Sequence, residues 1–222
     1  RSWVVLSSDC NLNYAFLLPI TVRAWNKLGF GSILMLVGTE DDWRRFSSAI
    51  MDELHKTNSI IIYVEKLEGY SVWTTANIIR LYPGCLKLPE NDYIIIGDAD
   101  LWVLKPEYIL NRDTTKRLNL WFSNAFAGQK ELQYPMCHVG SSVKTWREIM
   151  GIVDSDFGDL RGTCQRHMDR DLGRSNDRDV FFNEKYYGLK LQQWDGYPSD
   201  TQFIERKTAS PAFPSDRLDR SR

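Results

Sequence analysis

Two carboxylates separated by one small residue, Asp98-Ala99-Asp100, follow directly on the run Tyr93-Ile94-Ile95-Ile96-Gly97. The run reads as a strand buried on both faces, which delivers the two acids to its carboxyl end. In an open α/β sheet, ligands bind beyond the carboxyl ends of the strands. Neighbouring carboxylates repel, and their burial is costly unless a cation joins them. Hard oxygen ligands suit Mn²⁺ or Mg²⁺, and such an ion neutralises a diphosphate. Asp98 and Asp100 are therefore the expected metal ligands. Ala99 is small enough to let a ligand approach the backbone. An Asp-x-Asp triplet alone often only ends a strand and starts a turn; its position after a buried run and Gly97 favours the metal.

Other residues could complete such a site. Ser7 and Asp9 end the first apolar run, where an acidic side chain can hydrogen-bond a ribose or base, although a turn role also explains Asp9. Tyr14 can stack on a base or fill a helix core. Arg80 follows Ile78-Ile79 on a helix and reads as inward-facing, so it needs an anionic partner such as Asp98, Asp100 or a phosphate. Asn77 shares its helix face. Asp177 and Asp179 open an aromatic-rich helix; one carboxylate there satisfies the helix dipole, leaving the other to bind a hydroxyl or act as a base. His138 sits in an apolar strand two residues before Gly140. His55 and His167 read as surface residues. Trp194-Asp195 is a candidate for an acceptor side. The run Ser215–Arg220 is a solvated tail or a flap offering Arg217 and Arg220 to a diphosphate.

Positioning these groups requires an ordered scaffold, and 222 residues with 43% apolar and 13% aromatic content can bury one large α/β core. The 28 basic and 29 acidic residues leave a net charge of -1, which speaks against a nucleic-acid partner. There is no apolar run long enough to span a membrane. The four cysteines form no C-x-x-C pair, so zinc and a disulfide scaffold are not expected. From the start without Met we expect an excised module, and the compartment stays open.

Up to residue 104 the chain alternates strand-like runs (Trp3–Ser7, Ser32–Val37, Ile60–Val64, Tyr93–Ile96) with helical stretches (Asn13–Leu28, Asp41–His55 capped by Asp41, Thr74–Leu81). That alternation predicts a parallel sheet with helices on both faces. Beyond it we expect strands at Leu118–Phe122, Tyr134–Val139 and Leu189–Trp194 and helices at Lys144–Met150 and Val180–Tyr187. The polar segment Asp154–Ser175 reads as a long loop that orders over a ligand. One domain is expected, with a nucleotide-binding half (1–104) and a half for donor sugar and acceptor (105–222).

The layout resembles glycosyltransferases of the GT-A fold, whose Asp-x-Asp motif sits about a hundred residues into the domain. Ser7-Ser8-Asp9 matches the place where that family binds base and ribose. Ile78-Ile79-Arg80-Leu81-Tyr82 is similar to its helix preceding the motif strand, with a basic residue near the phosphates. Met136-Cys137-His138-Val139-Gly140, followed by Trp146, is similar to the donor-sugar block of the glycogenin and bacterial galactosyltransferase group. Asp177-Arg178-Asp179-Val180-Phe181-Phe182-Asn183 resembles that group's Asp-Gln-Asp segment. The resemblance implies a Mn²⁺- or Mg²⁺-dependent transfer from a UDP-linked sugar to a hydroxyl of a glycan or protein-glycan acceptor. It implies donor contacts for His138 and Gly140, and catalytic roles for Asp177 and Asp179. The chain departs from the group in having His138-Val139-Gly140 for Asn-Ala-Gly, Arg178 for Gln, and no histidine after His167. In length it is comparable to small viral glycosyltransferase modules of the same fold. A nucleotidyltransferase would share sheet and carboxylates but would carry a glycine-rich loop after the first strand, which Ser7–Tyr14 lacks. A non-catalytic sugar- or nucleotide-binding module is the other alternative.

Overall fold

Alternation along each strand builds the two faces of the sheet. In β1 (Ser2–Ser8), Val4 and Leu6 join one core cluster while Trp3 and Val5 join another. The same division separates Leu34 and Leu36 from Ile33 and Met35 in β2 (Gly31–Val37), and Ile95 from Ile94 and Ile96 in β4 (Tyr93–Gly97). Both faces are apolar, so both must be covered. The computed structural model describes residues 1–103, 106–172, 182–205 and 217–218.

With β3 (Ile60–Val64), β6 (Leu118–Trp121), β7 (His138–Ser142) and β8 (Thr201–Ile204), these strands form one seven-stranded sheet in the order β3-β2-β1-β4-β7-β6-β8. Only β7 runs against the others, antiparallel to both β4 and β6. The α/β class and the mixed, mainly parallel sheet flanked by helices are those the sequence predicts. A second ladder joins β5 (Trp102–Val103) to β9 (Arg217–Leu218), so the chain returns to a point two residues beyond Asp100. No helix among the described residues is long and apolar enough to cross a membrane.

One face is covered by α1 (Leu12–Ala15), α2 (Leu18–Lys27) and α3 (Glu40–His55). The other is covered by α4 (Val72–Ile79) and, past the short α5 (Pro106–Leu110), by α6 (Val143–Met150), α7 (Leu160–Leu172) and α8 (Phe182–Gln193). The helix expected over Asn13–Leu28 is two helices, with Pro19 in the first turn of the second, where its missing N–H costs nothing. The cap of α3 is Thr39 rather than Asp41: Thr39 Oγ1 accepts the Asp42 N–H at 3.1 Å, and Asp42 Oδ2 accepts the Thr39 N–H at 3.0 Å. The strand expected from Tyr134 begins only at His138. Leu189–Trp194 is no strand; through Gln193 it prolongs α8, which buries Tyr187 and Leu191 one turn apart.

The largest revision concerns Asp154–Ser175. Through Leu172 it is not a loop but a single 3₁₀ turn followed by α7, and residues 173–175 lie outside the described residues. Leu160, Cys164, His167 and Met168 recur at helical spacing on a buried stripe, while the many charges occupy the other side. His167, expected at the surface, is 6% exposed against the Tyr82 ring at 5.6 Å, and burial pushes its pKa down.

A polar clasp ties α7 to α8. Lys190, 4% exposed, places its Nζ 2.5 Å from Asp171 Oδ2, and Tyr186 donates to the same oxygen at 3.0 Å. Tyr186 in turn bonds the Tyr82 hydroxyl at 2.8 Å. Burial pushes the Asp171 carboxyl up, but hydrogen bonds from Arg170, Lys190 and Tyr186 outweigh it and hold the group well below the usual carboxylate range. A depressed carboxylate contributes stability above its unfolded pKa and loses it as pH falls toward the folded value. Asp171→Asn should therefore cost about 3–5 kcal/mol at pH 7 by leaving buried Lys190 without its counter-charge. The difference from wild type should shrink below about pH 4. Urea unfolding at pH 7 and pH 3 checks this; a gap that does not change with pH would refute the clasp.

Candidate functional site

The sheet register gathers the predicted residues at one edge. Gly97 is opposite Leu6 of β1 on one side and His138 of β7 on the other. Ser7, Asp9, Asp98 and the start of β7 thus share the carboxyl end of β1 and β4. Gly97 fits because a Cβ there would stand 3.1 Å from Leu6 Cδ2.

Arg80 closes α4 as its C-cap residue and turns its guanidinium under this edge, 5% exposed. Its Nη1 donates to the Gly97 carbonyl at 3.1 Å and to Asp98 Oδ1 at 2.5 Å. Nη2 donates to Asn77 Oδ1 at 3.4 Å, while the Asn77 amide donates to the Trp73 carbonyl at 3.0 Å. The buried Nε has no hydrogen-bond partner among the described residues. Burial works against the charge, but Asp98 more than offsets it and the pKa rises. Arg80 is thus a permanent cation fixed at the strand end, and the inward placement read from the sequence is its actual one.

Asp98 keeps a third of its side chain exposed, whereas Asp100 is buried at 9%. Between them, Ala99 is buried and its carbonyl accepts the Thr21 hydroxyl at 2.7 Å. Thr21 accepts the Trp102 indole N–H at 2.8 Å, so one α2 side chain holds the turn that carries both acids. Two oxygen-donor side chains at this edge fit a hard divalent ion completed by diphosphate oxygens. Among the described residues, no three His, Cys, Asp or Glu side chains converge as a ready-made metal cage.

On the β1 side, Ser7 donates to the Ala76 carbonyl at 2.6 Å and locks the strand end to α4. Asp9 is 7% exposed, and burial pushes its carboxyl up against the pull of its own backbone N–H. Tyr14 lies partly buried against the α1–α3 core. His138, 1% exposed, has its ring 5.6 Å from Trp25 and 6.1 Å from Phe122. Gly140 sits two residues deeper, where a Cβ would meet Tyr93 Oη at 2.3 Å; packing alone demands glycine there. Asp177 and Asp179 lie outside the described residues.

Two neighbours of Arg80 escaped the sequence reading. Asn183, 3% exposed in the first turn of α8, has its side-chain amide 3.1 Å from Arg80 Nη2 when the carbonyl oxygen faces the guanidinium. Glu184 adds a negative charge near Arg80. Thr21 is a third omission. Its signal was a lone Thr inside an amphipathic helix, which sequence alone does not distinguish from a filler.

No protein-family model and no curated protein matches the sequence. Solved structures do. The galactosyltransferase LgtC, determined with donor and acceptor sugar analogues, aligns with a TM-score of 0.52 at 13% identity, over 91% of this chain and 73% of its own. The chain has the GT-A glycosyltransferase fold. An active-site mutant of LgtC gives 0.54 at 13% identity, over 91% and 72%. The glycosyltransferase GlyE of Streptococcus pneumoniae gives 0.52 at 15% identity; 92% of this chain aligns with 45% of that protein, so the chain spans less than half of GlyE. In this GT-A sheet, the acidic turn after β4 and the Arg80 guanidinium beneath it form one charged edge.

If the Arg80–Asp98 pair holds that edge together, Asp98→Asn should cost about 1.5–3 kcal/mol, the range for a hydrogen bond to a charged group. Partial exposure of Asp98 moves the expected value toward the lower end. Chemical denaturation measures it, and an unchanged midpoint with an unchanged slope would show the pair to be structurally idle.

Proposed function

We propose that this chain is an enzyme that transfers a sugar from a nucleoside-diphosphate donor to a hydroxyl of a glycan or protein-glycan acceptor. The observation that carries the proposal is the charged edge: two carboxylates at the carboxyl end of β4, one paired to the buried Arg80, beside Ser7 and Asp9 on β1. UDP is the nucleotide that the sequence resemblance implies. Residues 1–104 hold the nucleotide in this reading, and residues 105–222 meet the donor sugar and the acceptor.

Each residue has a role in that reaction. Asp100, with Asp98, would hold Mn²⁺ or Mg²⁺, which when bound stabilises the charge of the departing nucleoside diphosphate. Arg80 presents a fixed cation to the same phosphates, and its fixation by Asp98 and the Gly97 carbonyl means no reorganisation as charge develops. Asp98 therefore serves both charges, through Oδ1 to Arg80 and through its exposed part to the ion. Asp9 and Ser7 border the nucleoside, with Tyr14 at the base, Asn77 beside Arg80, Ala99 giving backbone access, and His138 and Gly140 toward the sugar. One of Asp177 and Asp179 contacts the donor sugar or takes the acceptor proton.

Two outcomes are expected. Asp100→Asn should abolish transfer and Mn²⁺-dependent nucleotide binding while the folded state survives, as read by UDP-sugar turnover, calorimetry and circular dichroism. Full activity in excess EDTA contradicts the metal role. A folded chain that binds UDP-sugar yet neither transfers nor hydrolyses it is a binding module. Single Asn substitutions at Asp177 and Asp179 should lower kcat/KM by roughly 10²-fold in at least one case, at unchanged melting temperature. Near-normal turnover in both would put the sugar end of the cleft elsewhere.

A further inference from the structure

At the far end of the sheet from Asp98, β4 begins at Tyr93 and β7 ends at Ser142, opposite each other in the register. Four residues of strand, about 13 Å, separate this end from Gly97. A cavity of about 520 Å³ opens here, within the size range of small-ligand pockets. Four cations line it, Arg112, Lys116, Arg117 and Lys144, against a single carboxylate, Glu148. Glu148 is already paired with Arg117.

The other three cations form no salt bridge with any described residue; the neighbouring acid, Asp113, has its carboxyl held low by hydrogen bonds from Thr115 and by the charge of Lys116. Lys144 stands in the first turn of α6, where the helix dipole disfavours a cation and Ser142 already caps the Thr145 N–H at 3.1 Å. The Arg112 guanidinium lies 3.9 Å over the Tyr93 ring, which holds it as one wall of the cavity. Tyr93 is itself fixed by its hydroxyl, which donates to Asn119 Oδ1 at 2.5 Å. Lys116 gives one hydrogen bond, to the Ser199 carbonyl at 2.8 Å, and an ammonium has three donors. Like charges gathered around a cavity repel unless an anion joins them. Between the cations, the exposed Thr114 hydroxyl and the acceptor side of the Thr115 hydroxyl, which itself donates to Asp113 Oδ1 at 2.6 Å, are of the kind that sugar hydroxyls pair with; Thr145 is buried and bonds Ser142.

We infer that this cavity binds a sugar carrying a phosphate or sulfate ester, at a site separate from the charged edge beyond β4. The ester takes the Arg112–Lys116–Lys144 cluster, and the sugar ring lies along Thr114 and Thr115. Two sources share that chemistry: a free sugar phosphate, and a sulfated residue within a glycan chain.

The test is calorimetric titration of the full chain, which needs no turnover and so stands or falls independently of the transferase reading. The probes are glucose 6-phosphate, a sulfated heparin-derived disaccharide, inorganic sulfate and glucose. At least one anionic sugar should bind more tightly than inorganic sulfate, with affinity falling as salt rises, and glucose should not bind. Tighter binding of the phosphate or of the disaccharide identifies the source. Arg112→Gln/Lys144→Gln should weaken that binding tenfold or more. Lys144→Gln alone should weaken it measurably, with a melting temperature equal to or above wild type, and it carries the test should the double variant not fold. Failure of both anionic sugars to bind, affinities no better than inorganic sulfate, or wild-type affinity in the variants would each overturn the site.

Discussion

A guanidinium buried beneath the end of a central strand is the constraint around which this molecule is arranged. Arg80 cannot shed its charge, and taking it out of water is tolerable only if fixed acceptors replace the solvent. The protein supplies them from three places: the Gly97 carbonyl, the Asp98 carboxylate and the Asn77 amide. Each acceptor fixes an element in turn. Asp98 cannot swing away without stranding the cation, so the turn after β4 is pinned from below. Thr21 pins the same turn from the other face through the Ala99 carbonyl. A loop tip would ordinarily be the softest part of such a sheet; here both helical layers hold it.

The sheet order explains why the charged groups gather at that edge. Strands β1 and β4 are parallel neighbours, so their following turns leave on the same side, carrying Asp9 from one and the acidic triplet from the other. Reversal of β7 then brings its first residue, His138, opposite Gly97. Glycine serves close approach at two points. Gly97 makes room beside Leu6, and Gly188 lets α8 come so near the segment before β7 that a Cβ would sit 2.0 Å from the Leu132 carbonyl. That second contact sets the position of α8, whose first turn reaches Arg80 through Asn183.

The α7–α8 clasp extends the same network to the far side of the helical layer. Tyr82 lies two residues beyond Arg80 and shares a hydrogen bond with Tyr186, which bonds Asp171, which holds Lys190. A chain of polar contacts therefore runs from α8 to Tyr82, in the turn that follows Arg80. The start of α8 and the end of α7 are both anchored before the chain enters the segment carrying Asp177 and Asp179. The opposite end of the sheet is governed by other forces. There, Arg112, Lys116 and Lys144 stand around a cavity without a salt bridge to any described residue, whereas Arg80 is paired with Asp98.

The sequence by itself determined the parts of this protein that depend on local periodicity. Continuous apolar runs identify β1 to β4, because strands covered on both faces are apolar along most of their length, and the βα alternation leads to a mainly parallel sheet. The acidic triplet and the inward Arg80 were legible for a related reason: a buried cation needs an anion, and the packing selects Asp98 from the candidates Asp98, Asp100 and a phosphate. Tertiary structure alone decided the rest. Polar side chains hide the α7 stripe, since Leu160, Cys164, His167 and Met168 are spaced like a core but scattered among charges that only the packed helix turns outward. Leu189–Trp194 carries apolar residues that suit strand or helix, and docking of Tyr187 and Leu191 against the core selects helix. Asn183 and Thr21 meet Arg80 and Ala99 from more than 75 residues away in sequence, and no spacing rule reaches that far. Gly140 also carries a packing demand that sequence does not show, set by the Tyr93 hydroxyl across the sheet.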